Sequence, residues 1–261
     1  MATPPILENK NPSMPSVFAP AALMREARRQ KNIEEAQIPS VCLLDPDGDL
    51  VRHLRRTGHA RRFEGWPCYH TELDVFNLAG RQVGIIGRAV GAAFAVLVAE
   101  ELFASGRLLI SLTSAGQIVA AGAPPYFVII ARALRDEGTS YHYASPSEYA
   151  DASPRLLEAA IEAVKHDGPR TISGASWTTD APFRETIQAV QAAADRGILA
   201  VEMEAAALYA FAEATGRKVL CLAHVTNTMA QSGADFEKGE EDGAVDALAV
   251  LGRLVEALDT A

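Results

Sequence analysis

Short apolar runs alternate with longer helix-patterned segments along most of this chain, and that alternation constrains the fold more than any other feature. Residues 40–44 (SVCLL), 82–87 (QVGIIG), 108–112 (LLISL), 125–132 (PYFVIIAR), 170–172 and 219–225 (VLCLAHV) read as strands. Residues 21–37, 92–103, 154–165 and 181–194 read as helices. A last helix carries Val245, Leu248, Leu251, Leu254, Val255 and Leu258 at helical spacing. Strands alternating with helices predict an α/β fold in three layers, a mostly parallel or mixed central sheet covered by helices on both faces. No interior linker interrupts the pattern, so residues 21–261 form one expected domain. Residues 1–20, rich in proline and polar groups, form an expected flexible arm. Ligands of such folds bind beyond the carboxyl ends of the strands.

Composition narrows the function. A net charge of −9 with only 24 basic residues argues against a general nucleic-acid surface. An anionic substrate would need a local basic pocket. Cys42, Cys68 and Cys221 are scattered and odd in number, which suggests reduced thiols in a cytoplasmic protein. The N-terminus lacks a signal-peptide pattern, and no apolar run reaches the roughly 18 residues of a membrane span. The six histidines are dispersed and no metal constellation appears. Gly84, Gly87 and Gly91 miss the dinucleotide-binding spacing, and Leu112 stands where a nucleophile elbow needs glycine.

Four segments, each after an expected strand, offer chemistry. Gly48-Asp49-Leu50-Val51-Arg52 combines a glycine turn with an arginine, a set that can hold a phosphate or equally form a surface turn with a solvated arginine. Thr113-Ser114-Ala115-Gly116-Gln117 is a small-residue turn with a hydroxyl. Glu202-Met203-Glu204 brackets a methionine with carboxylates ahead of a helical run. Such a carboxylate can accept hydrogen bonds from vicinal sugar hydroxyls, or simply favour a helix first turn. The loop from Trp177 to Arg184 can stack on a base and bond its edge. It also reads as a helix start, with Asp180 as cap and Pro182 in the first turn.

Taken together, these segments resemble the nucleoside phosphorylase superfamily, which includes uridine phosphorylase, hexameric purine nucleoside phosphorylase and methylthioadenosine nucleosidases. The resemblance runs from about Val41 to the C-terminal helix. Gly48–Arg52 is similar to the family's G-D-P-x-R phosphate loop, with Leu50 in the proline position, and residues 113–118 resemble its G-[ST]-x-G-x-[IL] turn. Glu202-Met203-Glu204 matches its E-M-E ribose segment without change. Residues 132–143, through Asp136-Glu137-Gly138-Thr139-Ser140, resemble a stretch of the uridine phosphorylase branch. The resemblance implies a sandwich around a distorted, barrel-like mixed sheet, assembled as a homo-oligomer of dimers. It implies phosphate-dependent, reversible cleavage of a nucleoside to base and (deoxy)ribose 1-phosphate, with inorganic phosphate as co-substrate and no other cofactor. By it, Gly48, Arg52 and Ser114 hold phosphate, Met203 and Glu204 hold ribose, and Trp177 and Arg184 face the base. Arg61 reaches a neighbouring subunit's phosphate.

Departures from the family pattern shape the expectation further. Ile110 and Ser111 stand where the family often has a strand arginine, so Arg88 is the candidate replacement. Asn227 stands where purine-specific members carry an acid, which favours a uridine-type base. Two alternatives remain: a purine phosphorylase or a nucleosidase using water, which the retained G-D-x-x-R pattern disfavours, and a non-catalytic nucleoside-binding protein on the same fold.

Overall fold

A computed structural model describes residues 4–103, 108–166, 168–229 and 236–258. Residues 4–19 expose their side chains, and residues 1–3 of the expected arm lie outside the described residues. The chain then runs α1 (Pro20–Lys31), β1 (Val41–Asp45), α2 (Asp49–Arg56), β2 (Arg61–Arg62), β3 (Asp74–Leu78), β4 (Arg81–Gly87), α3 (Ala92–Leu102), β5 (Leu108–Gln117) and β6 (Tyr126–Asp136). It continues with β7 (Tyr149–Asp151), α4 (Pro154–Val164), β8 (Thr171–Thr179), α5 (Ile187–Asp195), β9 (Ala200–Glu202), α6 (Ala205–Thr215), β10 (Lys218–Asn227) and α7 (Ala244–Leu258).

Five strands close a mixed ring. β5 pairs in parallel with β10, β10 antiparallel with β6, β6 in parallel with β8, β8 in parallel with β9, and β9 antiparallel with β5. From β5 the sheet extends outward through β1, β4, β3 and β2. β5 therefore belongs to both the ring and the wing: its first half pairs with β1 and its carboxyl end with β9, while β10 runs along nearly its whole length. The fold is the expected three-layer α/β sandwich around a barrel-like mixed sheet.

Alternation along the strands divides the core. Leu109 and Ala115 of β5, with Cys221 and Ala223 of β10, face a cluster that includes residues of α1, α3 and α6. Leu108, Ile110 and Leu112, with Leu220 and Leu222, face the opposite cluster under α2, α4 and α7. Both faces of these strands are buried, which is why they read as unbroken apolar runs.

Local sequence explains most boundaries. Pro20 and Pro154 open α1 and α4, where a missing N–H costs nothing. Gly216 ends α6 in the left-handed conformation at φ 66°. Several boundaries depart from expectation: α1 ends at Lys31, β8 runs on to Thr179, α5 starts only at Ile187, and the expected turn after Gly48 is the helix α2. β5 does not turn at Thr113 but runs to Gln117, because Gly116 and Gln117 pair with Val201 and Ala200 of β9. Asp180 does not cap a helix: its carboxylate accepts the Gly138 amide, and Thr186 caps α5 by accepting the Ala189 amide.

Tyr209 of α6 fastens the helix to the ring. Its hydroxyl donates to the Ile130 carbonyl of β6 at 2.6 Å and accepts from the Cys221 amide of β10 at 3.0 Å, fully buried. Tyr209→Phe strips both partners in a site water does not reach. Its expected cost is about 1–3 kcal/mol, seen as a lower urea midpoint at unchanged m-value. An unshifted midpoint would show that the bridge contributes nothing.

Candidate active site

The site is built where β1, β4 and β5 end beside the start of α6. β1 stops at Asp45, and residues 46–48 turn the chain into α2. Gly48 sits at φ 78°, and a Cβ there would lie 2.9 Å from Cγ of Arg88. Only glycine satisfies both the backbone and the space. Asp45 takes the orphan amides of the new helix, accepting from Gly48 at 3.2 Å and Val51 at 2.9 Å. Burial pushes its carboxyl up to about 7, and the charges of Asp47 and Asp49 add to the rise.

The next carboxylate reaches across to β5. Asp47 Oδ2 accepts the Ser114 amide at 2.6 Å. Ser114 lies beside His224 of β10 in the parallel register. His224 is buried and stacks on Phe127 at 4.5 Å between ring centroids. Burial lowers its pKa to about 4, so the ring is neutral near pH 7, and its Nε2 has no hydrogen-bond partner. A small hollow of about 20 Å³ lies here, lined by Asp45, Asp47, Asp49, Ser114, His224 and Asp242 among others.

On the other face of β5 stands the Glu202-Met203-Glu204 segment, whose two carboxylates differ sharply. Glu202 is fully satisfied. It accepts the hydroxyls of Ser176 and Thr178 through Oε1 and the amides of Glu204 and Ala205, both at 2.7 Å, through Oε2. Glu204 is equally buried, at 1% exposure, but Oε1 accepts the Gly91 amide at 2.7 Å while Oε2 has no partner. Burial, then the charge of Glu202, raises its pKa, with Asp47 contributing. The Gly91 amide and the Thr113 hydroxyl pull it back. A buried carboxylate oxygen without a donor is costly and rare. Met203, half-buried, and the exposed Val90 sit in sequence beside Glu204 and Gly91.

The structure thus brings Gly48 and Ser114 together through Asp47 on one face of β5, and Glu204 and Gly91 together on the other. Arg52 binds two carboxylates that line the hollow. Leu50 and Leu54 bury the inner face of α2, so Arg52 points outward and pairs with Asp49 and, at 3.0 Å, with Asp242. Asp49 is shared with Lys238. Arg88 is exposed, packs along Gly48 and forms no ion pair among the described residues. Arg61 is exposed on β2.

The base-facing candidates lie at and beyond the carboxyl ends of β8 and β10. Trp177 is not an open stacking surface: it is buried with Ala193, Ile198 and Val201, and its Nε1 donates to Asp136 at 3.0 Å. Arg184 is exposed on the turn Pro182–Arg184 after β8, beside a fully exposed Phe183. Asn227 is buried at the end of β10, where its Oδ1 accepts the Met229 amide at 2.9 Å and its Nδ2 donates to Thr226.

Sequence reasoning missed Asp45, Asp47, Gly91, Thr113 and His224. A signal existed for two of them. Asp47 stands in the same turn as Gly48, and His224 is the lone polar residue in an apolar strand. Among the described residues no group of three or more His, Cys, Asp or Glu side chains is arranged to hold a metal ion, and no helix is long and apolar enough to cross a membrane.

Comparison with known proteins gives concordant matches. A family model described as the phosphorylase superfamily matches residues 40–258. A DeoD-type purine nucleoside phosphorylase of Hahella chejuensis is 28% identical over 236 residues, 87% of each chain. One from Roseobacter denitrificans is 30% identical over 185 residues, 68% of this chain and 74% of that relative. A crystal structure of uridine phosphorylase from Vibrio fischeri ES114, complexed with 6-hydroxy-1-naphthoic acid, superposes with a TM-score of 0.72 at 19% identity. It covers 89% of this chain and 99% of the other.

Proposed function

The chain belongs to the phosphorylase superfamily and is an enzyme of pentosyl transfer, and from that premise we propose that it cleaves the N-glycosidic bond of a nucleoside. The observation that carries this reading is the partnerless Oε2 of Glu204. Burial without a donor is a standing cost that a ligand with vicinal hydroxyls removes, one hydroxyl to each side of the carboxylate. Met203 and Val90 supply the apolar walls against which a sugar ring packs. Breaking the bond leaves positive charge on the pentose, as in glycoside hydrolysis, and carboxylates fixed close by favour that charge. The chemistry asks for no metal or organic cofactor.

A uridine-type nucleoside is the substrate we favour. The support is Asn227, whose carboxamide cannot hand a full proton to a purine N7. Arg184 is the donor proposed for the base edge, where negative charge gathers as the base departs. The relatives described as purine nucleoside phosphorylases favour the purine reading instead. We also propose a homo-oligomer, with Arg61 serving the site of a neighbouring copy, and a reducing cytoplasmic location, which suits three unpaired buried thiols. Assaying release of free base from uridine, thymidine, inosine and adenosine checks the reading. Uridine is expected to react at least about 10-fold faster than either purine nucleoside, a discrimination of about 1.4 kcal/mol. Faster cleavage of inosine or adenosine overturns the base assignment, and no cleavage of any overturns the activity.

A further inference from the structure

Away from the site already described, we infer that a groove beside α1 binds a pentose phosphate, either free or as part of a nucleotide. The groove holds about 560 Å³ and is lined by Met24, Arg25, Arg28, Glu35, Ala36 and Gln37 among others. That is room for one small organic ligand. Its lining residues all precede residue 40, where the match to the family model begins. Binding here neither needs nor follows from the proposed cleavage of a nucleoside.

The way α1 ends makes the groove. Asn32 adopts the left-handed conformation at φ 54°, and the Ile33 amide donates to the Arg28 carbonyl at 3.0 Å. Residues 33–37 then run without regular structure, and Glu35, Ala36 and Gln37 complete the lining that Met24, Arg25 and Arg28 begin. Met24 and Ala27 are the buried residues of α1 and anchor it to the core. The helix carries Arg25, Arg28, Arg29 and Lys31 against a single acid, Glu26. In a chain of net charge −9 that is a local concentration of positive charge, the condition an anionic ligand requires.

Two of these cations are committed and two are not. Arg29 pairs with Glu26 at 2.8 Å, and Lys31 donates to the Cys68 carbonyl. Arg25 reaches Glu26 only at 3.5 Å, with 71% of its side chain exposed. Arg28 forms no ion pair among the described residues, and its Nε is buried without a hydrogen-bond partner. A buried donor without an acceptor is costly and rare. Arg25 and Arg28 stand one helical turn apart, and a phosphate has oxygens enough to serve both guanidinium groups. The other wall sets the rest of the ligand. The Glu35 carboxylate and the Gln37 carboxamide, both exposed, can accept hydrogen bonds from sugar hydroxyls. Met24 and Ala36 offer apolar surface to the ring. A simple anion would use the arginines alone, whereas a pentose phosphate uses both walls.

The test is calorimetric titration of the full-length protein with ribose 5-phosphate, uridine 5′-monophosphate and inorganic phosphate. At least one of the two pentose phosphates is expected to bind with a Kd below about 1 mM, and at least about 10-fold tighter than inorganic phosphate. Tighter binding of the monophosphate assigns the groove to a nucleotide. Equal or weaker binding of it assigns the groove to a free sugar phosphate. Arg28→Gln removes the charge and keeps a good helix former. It is expected to weaken binding at least about 10-fold, with the melting temperature and the kcat for base release unchanged. Arg25→Gln, at an exposed position, is expected to act in the same direction and serves if Arg28→Gln folds poorly. Glu204→Gln should leave this binding untouched, which separates the groove from the reaction site. Inorganic phosphate binding as tightly as either pentose phosphate overturns the proposal. So does pentose phosphate binding that survives both arginine substitutions or is lost in Glu204→Gln, and so does the absence of binding by either pentose phosphate.

Discussion

Glu204→Gln is expected to lose about 100-fold or more of the nucleoside-cleaving activity and, above neutral pH, to be more stable than the natural protein. The activity loss follows from charge. Hydrogen bonds to an ionised group contribute about 1.5–3 kcal/mol each, and a neutral amide presents one acceptor and one donor where two sugar hydroxyls need acceptors. The stability gain follows from burial. Desolvation, then the charge of Glu202, holds the Glu204 carboxyl above its ordinary 4.5 in the folded chain. In the unfolded chain it ionises near that ordinary value. Between the ordinary and the raised pKa the folded state therefore binds more protons, and stability falls as pH rises through that window. Glutamine does not titrate. The two proteins should melt together at pH 4 and separate in favour of the variant as pH rises. A melting difference that does not change between pH 4 and pH 9 would show that Glu204 carries no such penalty.

Glu202→Leu should be the most damaging single substitution to the fold near the site. Removing a buried charge can stabilise when it was poorly compensated. Glu202 is well compensated: two hydroxyls and the amides of Glu204 and Ala205 converge on it. The hydroxyls can turn elsewhere, but the amides are fixed by the start of α6. Each buried orphan costs about 1–3 kcal/mol, so the loss is about 2–6 kcal/mol, a large part of the roughly 5–15 kcal/mol that holds a domain together. Urea unfolding measures it. A loss under about 1 kcal/mol would mean that the start of α6 holds without this acceptor.

The contrast between these two glutamates marks what was legible in the sequence and what was not. The E-M-E segment stood out at once, but nothing local says which acid is structural. That is decided by Ser176 and Thr178, which β8 brings beside Glu202 through the pairing of Thr178 with Glu202. The parallel strands were legible because both faces are buried. β2, β3, β7 and β9 escaped notice because a strand of two to five residues draws its stability from partners remote in sequence. The extension of β5 past Thr113 has the same cause. Arg52 shows how neighbouring residues orient a side chain that spacing alone leaves open. Its spacing from Gly48 suggested a phosphate clamp, yet Leu50 and Leu54, four residues apart, already fix the inward face of α2 and turn Arg52 to solvent.

The most direct measurement is a double-mutant cycle between Glu204 and the sugar hydroxyls. Uridine and 2′,3′-dideoxyuridine are each assayed with the natural protein and with Glu204→Gln, by kcat/KM for base release. If Oε2 of Glu204 is the seat of the hydroxyls, removing them should cost the natural protein about as much as removing the carboxylate, and should cost the variant almost nothing more. Equal losses from dideoxyuridine in both proteins would contradict that, because the hydroxyls would then be held by something other than Glu204.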